Sequence, residues 1–413
     1  MNILIRNCPR GILPTLALPA LVGMALLGAA CTKAGGLYDE VSASYLDRSS
    51  GASSPNGPGG NNQQAEAGVL TAAEWNDLAN WDFWCDLLEG EHKEEIARWG
   101  FNTSRRIAVR VTAEGTSTPA VGVRVDLLSG SKTIWRARTD NRGEASLWPC
   151  IFQQVGQENS DADPSNLRIS IDGVTQSSPL TLYDPKDPQT VNTFTLPGWD
   201  PSKVDRTLDL AFIVDATGSM GDEIEFLKKD LLSILEEVSQ SQGGLSIRTG
   251  TVFYRDEGDE YVTRSSPFTE DFSKTISFVK GQNATGGGDI PEAVHTALAE
   301  ALRLDWAPSA YSSLAFLILD APAHDEGNIY GSLHSSIEKF AERGIRVIPV
   351  FASSGSKSCE FMSRLFAIAT GGTYVFLTDD SGVGGEHITP TVGQYQVERL
   401  RDILIRLISQ AME

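Results

Sequence analysis

The sequence is poor in soft metal ligands and in positive charge. Its 413 residues include only five cysteines and five histidines, with no CxxC pair and no Cys/His cluster. A zinc site is therefore not expected. Lysine and arginine number 34 against 54 aspartates and glutamates, which gives a net charge of −20. A chain this acidic is a poor partner for nucleic acids or anionic lipid surfaces, so we expect neither.

A nucleotide-binding loop is also missing, since no GxxxxGK[ST] occurs, and no nucleotide is expected. The length exceeds what one ordinary hydrophobic core holds, so we expect two or three domains. Composition and patterning divide the chain into five segments: 1–30, 31–66, 67–102, 103–198 and 204–413.

Residues 1–30 have the layout of a secretory signal peptide. A basic start, "MNILIRNCPR", is followed by an apolar stretch that ends in small residues before Cys31. "LLGAAC" resembles a bacterial lipobox, which implies that Cys31 is lipidated and anchors the exported protein. Thr32 after the cysteine implies the outer membrane by the same resemblance. Ordinary cleavage with an unmodified Cys31 is the alternative.

Residues 31–66 are predicted to form a flexible linker. The stretch "SSGASSPNGPGGNNQQAEAG" contains almost no side chain that could be buried. Such a segment cannot offset the entropy lost on ordering. Its natural use is a tether between the lipid anchor and the folded part of the chain.

Residues 67–102 are unusually rich in tryptophan. Thr71 and Glu74 fit a capping box and predict that a short helix begins there. Trp81 and Trp84 are expected to clamp this helical segment onto a neighbouring domain. An exposed aromatic binding patch is the alternative.

Residues 103–198 alternate between apolar and polar side chains, as in "RIAVRVTAEG" and "VGVRVDLLSG". Period-two runs separated by Gly, Asn, Asp and Pro predict an all-β sandwich. The stretch "PAVGVRVDLL…RARTDNRGEASL" resembles an Ig-like sandwich of the prealbumin-like or carboxypeptidase-regulatory-like type. It contains no catalytic set, so a spacer or contact module is expected.

Residues 204–413 alternate between strand and helix patterns, which predicts an α/β doubly wound, mostly parallel sheet. The predicted strands are 208–214, 245–254, 314–319, 345–351 and 373–377. The predicted helices lie near 219–240, 270–281, 291–303, 332–343, 359–369 and 393–411. In such sheets, ligands bind beyond the carboxyl ends of the strands.

The first of these strands ends in "LAFIVDATGSM", where Asp215, Thr217 and Ser219 occupy alternate positions. Alternate residues of an extended segment point the same way, so the three side chains can converge. A carboxylate and two hydroxyls are hard oxygen ligands that suit Mg²⁺, Ca²⁺ or Mn²⁺. Two neutral ligands also leave such an ion with affinity for a further carboxylate.

Three loops of residues 204–413 resemble those of a von Willebrand factor type A (vWA) domain, which has a Rossmann-like fold. Asp215, Thr217 and Ser219 match its metal ion-dependent adhesion site. "NATGGGDIPEAV" resembles the second metal loop, and "FLILDAPAHDEG" resembles the third. The resemblance implies that Asp320, at the end of a central strand, is a further acidic residue of the metal site.

The second loop offers two candidate ligands. Adhesion-type members of the family carry a threonine there, but in this chain Asp289 is nearer the helix start and Thr285 lies four residues earlier. We favour Asp289, which would add charge to the site and lower its affinity for an external carboxylate. Alternatively, Asp215 and Asp289 only cap the helices that follow them.

The resemblance implies a surface-anchored, divalent-metal-dependent binding protein that engages a protein or glycan partner and is not an enzyme. Mg²⁺ is the favoured ion. One alternative is a hydrolase that uses a metal-activated water, with His324 or Glu292 as the general base. Another is an accessory subunit of an envelope enzyme complex. The acidic turn "YRDEGDEY" (254–261) is predicted to be solvated, although a flanking cation site is an alternative.

Overall fold

The computed structural model of the protein describes residues 70–159, 162–241, 244–288, 290–352, 355–381 and 387–413. The predicted signal peptide, Cys31, the tether and Asp289 all lie outside these ranges. Within them, no helix combines the length and the apolar character needed to cross a membrane.

Strands and helices alternate in the second half of the chain, as the sequence predicts. The strands are β1 (Thr71–Trp75), β2 (Ile107–Ala113), β3 (Arg124–Ser129), β4 (Lys132–Arg138), β5 (Glu144–Leu147), β6 (Leu167–Ile171), β7 (Val174–Thr175), β8 (Asn192–Leu196), β9 (Asp205–Asp215), β10 (Ser246–Tyr254), β11 (Thr263–Thr269), β12 (Ala310–Leu319), β13 (Ile345–Phe351), β14 (Tyr374–Thr378) and β15 (Glu398–Arg399). The helices are α1 (Trp81–Glu89), α2 (Lys93–Arg98), α3 (Gly221–Ser241), α4 (Phe272–Lys280), α5 (Val294–Ala301), α6 (Gly327–Arg343), α7 (Lys357–Thr370) and α8 (Leu400–Gln410).

An eight-stranded sheet in the order β11-β10-β9-β12-β13-β14-β1-β15 organises this half of the molecule. The five strands from β10 to β14 in that order pair in parallel. The pairings of β11 with β10, of β1 with β14 and of β15 with β1 are antiparallel. The sheet is therefore mixed, and the expectation of a mostly parallel sheet holds for its centre alone.

Both faces of this sheet are covered, as the apolar run at its centre requires. In β9, Ala211 and Ile213 point into one hydrophobic cluster, which includes residues of α5, α6 and α7. Leu210, Phe212 and Val214 point into a second cluster, which includes residues of α3 and α8. The layered arrangement places Asp215, the last residue of β9, at the carboxyl edge of the sheet.

Thr71 and Glu74 do not start a helix, contrary to the capping-box prediction. They lie in β1, which fills the gap between β14 and β15. The Thr71 hydroxyl donates to the Thr378 carbonyl (3.1 Å), and Glu74 forms an ion pair with Arg406. Pairing of these residues with the edge of β14 outweighs the local capping signal, so the first helix, α1, begins only at Trp81. The predicted boundary at residue 204 thus leaves out one strand of the sheet.

Residues 107–196 form two small sheets, with strand orders β5-β2-β8 and β4-β3-β6-β7. Their apolar side chains, including Val109 and Trp135, belong to the same hydrophobic cluster as Leu333 and Phe340 of α6. Trp81 and Trp84 are buried in that cluster too. The small sheets, the tryptophan-rich segment and one face of the large sheet therefore share a continuous core.

Candidate metal centre

Asp215 is completely buried at the end of β9. Both the N–H and the hydroxyl of Thr217 donate to its Oδ1 atom, at 2.9 and 2.7 Å. The other oxygen, Oδ2, is buried and makes no hydrogen bond of standard geometry among the described residues, although the Tyr254 hydroxyl is near enough to favour the ionised form of Asp215 slightly. Because burying an unpartnered carboxylate oxygen costs free energy, this atom marks a point where an added partner would stabilise the fold.

The ionisation of Asp215 is strongly perturbed. Burial, and then the nearby charge of Asp320, raise the pKa of Asp215 to about 7. Burial also raises the pKa of Asp320, and the Ser219 hydroxyl partly offsets that shift. Two buried carboxyl groups that disfavour each other's ionised form would both be stabilised as carboxylates by a cation.

The second loop approaches this pair closely because it is made of glycine. Gly286, Gly287 and Gly288 all have positive φ angles, of 84°, 67° and 135°. A Cβ atom on Gly287 would lie 3.1 Å from Thr217 Cβ and 3.2 Å from Glu292 Oε1. The loop is tied to the first one by the Gly218 N–H, which donates to the Gly286 carbonyl at 3.1 Å. A larger side chain would push the two loops apart.

An open cleft of about 370 Å³ lies between the three loops. It is lined by Thr217, Gly218, Ser219, Gly286, Gly287, Gly288, Ile290, Glu292, Asp320 and Ala321. Thr285 is exposed and is not among the lining residues, although its N–H donates to the Ala216 carbonyl at 3.1 Å. Since Asp289 lies outside the described residues, the choice between the two second-loop candidates stays a prediction.

Glu292 is the main addition to the predicted set. It is buried on the cleft wall, and its Oε2 atom has no hydrogen-bond partner in the described part of the chain. Burial, and then the charges of Asp215, Asp256, Asp259 and Asp320, raise its pKa to about 9. Sequence reasoning gave Glu292 only as a weak candidate base, because its convergence with Asp215 depends on how the loops pack.

The acidic turn 254–261 is solvated only in part: Glu257 and Glu260 are exposed, as expected, but the other two acidic side chains contact the neighbouring loops. The Gly287 N–H donates to Asp259 (3.0 Å to Oδ2), and Asp256 lies 2.7 Å from His324 Nε2. Arg255 donates to the carbonyls of Ala216 (3.1 Å) and Asn283 (3.0 Å). The turn therefore braces all three loops of the cleft from behind.

The donor chemistry fits a hard divalent cation. Nowhere in the described ranges do three Asp, Glu, His or Cys side chains converge as a metal-binding group. The candidate centre instead combines the carboxyls of Asp215 and Asp320 with the hydroxyls of Thr217 and Ser219. All four supply oxygen, the donor that Mg²⁺, Ca²⁺ and Mn²⁺ prefer.

The cleft lies at the carboxyl edge of the sheet, which is where α/β domains of this architecture bind their ligands. Residues 209–382 match the von Willebrand factor A domain family. The chain thus contains a vWA domain, as the three loops predict.

Two curated proteins show similarity over shorter segments. A putative ariadne-like RING finger protein from Acanthamoeba polyphaga mimivirus is 34% identical over 121 residues, which is 29% of this chain and 12% of that protein. The alpha-protein kinase vwkA from Dictyostelium discoideum is 33% identical over 144 residues, 34% of this chain and 22% of that protein. The chain thus matches less than a quarter of the length of either relative.

Solved structures also resemble part of the chain. A von Willebrand factor type A protein from Catenulispora acidiphila is 18% identical with a TM-score of 0.35, over 51% of this chain and 43% of that one. BatB from Bacteroides thetaiotaomicron is 15% identical with a TM-score of 0.34, over 50% of this chain and 96% of that one. An aerotolerance-related membrane protein from Bacteroides fragilis is 15% identical with a TM-score of 0.32, over 49% and 98%.

Proposed function

We propose that the protein is a surface-anchored binding protein whose vWA domain holds a divalent cation, Mg²⁺ by preference, and engages a protein or glycan partner through it. Asp215, Thr217, Ser219 and Asp320 would hold the ion, with Asp289 as the further ligand. Since Asp289 would lower the affinity of the site for an external carboxylate, the bound ion would contact the partner through a neutral oxygen, such as a hydroxyl or a carbonyl group.

The observation that carries this proposal is the unpartnered Oδ2 atom of Asp215. It is buried next to a cleft lined by Thr217, Ser219 and Asp320, and the pKa of Asp215 is raised to about 7. If Asp215 only capped a helix, N–H groups would satisfy its oxygens, and its burial would not leave an oxygen atom without a partner. A cation would give the Oδ2 atom a partner and would offset the repulsion between Asp215 and Asp320.

Mn²⁺ titration by calorimetry tests the metal site directly. We expect the wild-type protein to bind one equivalent and Asp215→Asn, which keeps the side-chain volume, to bind none. Asp222→Asn is the matched control, because it removes an exposed carboxylate seven residues away. Equal binding by wild type and Asp215→Asn would contradict the proposal.

The anchoring part of the proposal rests on Cys31 and the tether that follows it. We expect Cys31→Ser to release the protein from the outer-membrane fraction or to block its processing. A variant that fractionates like wild type would mean that the protein is held in the envelope by another route.

A metal-dependent hydrolase is the second candidate, and Glu292 favours it. Without metal, burial and the neighbouring carboxyls raise the pKa of Glu292 to about 9 on the wall of the cleft, so a protonated Glu292 would act there as a general acid and not as the predicted base. If the protein is a hydrolase, Glu292→Gln should abolish turnover and leave Mn²⁺ affinity in place. If it is a binding protein, the same variant should retain metal-dependent partner binding.

A further inference from the structure

A second cleft, of about 370 Å³, lies at the opposite end of the large sheet from the metal centre. Leu314, midway along β12, and Ile348 in β13 form part of one wall. The three-stranded sheet supplies another, which includes Val109 and Ala145. Asp320 follows the far end of β12, so the two clefts are separated by roughly 20 Å of strand.

Arginine side chains line this cleft in a chain whose net charge is −20. Arg106, Arg142 and Arg346 come from three separate segments, and none of them forms an ion pair with a carboxylate within the described residues. Arg346 donates to the Ser312 hydroxyl at 2.6 Å. Arg106 donates to the Ser146 hydroxyl (3.1 Å) and the Leu78 carbonyl (2.8 Å). All these acceptors are neutral.

Burial of two of these guanidinium groups, those of Arg106 and Arg346, is compensated only in part: the charges of Glu144 and Asp140, respectively, act on them without forming an ion pair. Desolvation lowers the pKa of Arg106 to about 10 and also lowers the pKa of Arg346. Arg364 shows the contrast, because Asp77 accepts two hydrogen bonds from it (2.9 and 2.6 Å). There, burial lowers the pKa, but the charges of Asp77 and Glu360 more than offset that effect. Buried arginines without such partners are costly unless an anion is supplied.

Arg346 remains accessible despite its position. It is half-buried, and it lines both this cleft and a neighbouring third cleft of about 320 Å³. Its guanidinium group therefore belongs to a cavity wall that a ligand can reach. Arg106 is fixed in its place by stacking on Tyr183, with 4.4 Å between guanidinium carbon and ring centroid.

The carboxylates of the cleft are already engaged. Glu144 is paired with Arg110, and Glu74 is paired with Arg406 outside the cleft. Asp140 accepts the N–H groups of Arg142 and Glu144, both at 2.9 Å. None of these carboxylates forms an ion pair with Arg106, Arg142 or Arg346 among the described residues, so the three guanidinium groups can still bind an external anion.

We propose that this cleft binds a small organic anion, whose carboxylate or phosphate group is held by Arg346, Arg106 and Arg142. The guanidinium fork matches the geometry of both groups. Apolar side chains on the same walls, including Leu314 and Ile348, would pack against the organic part. The volume is that of a site for a metabolite-sized molecule.

Calorimetric titration of the full mature chain tests the anion site. Inorganic phosphate and succinate are titrated separately into protein that is free of metal ions, chelators and other polyvalent anions. We expect at least one of them to bind wild type, and Arg346→Gln to weaken that binding at least tenfold. Arg303→Gln is the matched control, because Arg303 is an exposed arginine that lines no part of the cleft. It should bind like wild type.

Arg142→Gln keeps the test valid if Arg346→Gln does not fold, because Arg142 is exposed and its loss cannot disturb the core. This variant should weaken binding several-fold. The proposal is overturned if neither anion binds wild type at about 10 mM, or if the folded arginine variants bind as wild type does. Because the metal centre is at the other end of the sheet, neither result depends on Asp215.

Discussion

The two ends of the large sheet carry buried charges of opposite sign. At the carboxyl edge, burial raises the pKa of Asp215, Asp320 and Glu292. At the opposite edge, burial lowers the pKa of Arg106 and Arg346. In both places the charged form is disfavoured, and among the described residues no ion pair compensates it.

The fully paired network of Arg364, Asp77 and Glu360 shows that this chain can compensate a buried charge where the charge is structural. The groups without an ion pair at the two sheet ends differ from it because they line a cleft or, like Asp215, lie directly behind residues that do. The comparison teaches that a missing internal partner, more than burial itself, distinguishes a candidate ligand site from a structural ion pair.

Removing residues 1–202 should have the largest effect, since it deletes much of the arginine cleft together with part of the core that supports the acidic end. The truncation deletes β1 and the buried Trp81, Trp84 and Trp135. Each large apolar side chain contributes about 1.5–3 kcal/mol when buried, so the loss rivals the total stability of a domain. Denaturant melts should show no cooperative transition. A cooperative transition near that of the full chain would mean that the vWA domain is independent of the shared core.

The pH dependence of stability separates the acidic end from the rest of the molecule. Without metal, the native Asp215 carboxyl keeps its proton up to about pH 7, whereas the unfolded chain loses it near pH 4. The contribution of Asp215 to stability is therefore greatest at low pH, and it is lost as the pH rises through this window. Between pH 5 and 8, wild type should lose about 2 kcal/mol more than Asp215→Asn. Equal losses in urea melts of the two proteins would contradict the raised pKa.

Gly287→Ala tests the loop geometry of the acidic end without changing its charge. The added Cβ would lie 3.1 Å from Thr217 Cβ at a φ of 67°. Gly115→Ala is the matched control, because Gly115 has a φ of 73° and nothing within 4 Å of an added Cβ. Both changes should cost about 1–2 kcal/mol of backbone strain, but only Gly287→Ala should also weaken Mn²⁺ binding in calorimetry. Similar metal affinities would mean that the glycine loop is not part of the site.

The centre of the fold was predictable from sequence because its signals are local. The apolar run before Asp215 and the alternation of Thr217 and Ser219 identify a strand end, and Asp320 follows the same logic. Strand β1 was missed because its place depends on an unpaired edge about 300 residues away in the chain. Its own residues fit a helix cap equally well.

The arginine cleft had no signal in the sequence, since Arg106, Arg142 and Arg346 converge only after the small sheets pack on the large one. The acidic turn 254–261 was read as solvated for a related reason. Its charge is typical of a surface loop, and only the folded chain shows that Asp256 and Asp259 contact the other loops.

Thermal melting with and without Mg²⁺, on wild type and Asp215→Ala, tests the central claim most directly. The claim is that the buried Oδ2 atom of Asp215 binds a divalent cation. At free metal one hundred times the dissociation constant, wild type should gain roughly 2.7 kcal/mol of stability and melt at a higher temperature. Asp215→Ala should show no gain. If Mg²⁺, Ca²⁺ and Mn²⁺ all leave the melting temperature of wild type unchanged, the carboxyl edge is not a metal centre and the proposed function is wrong.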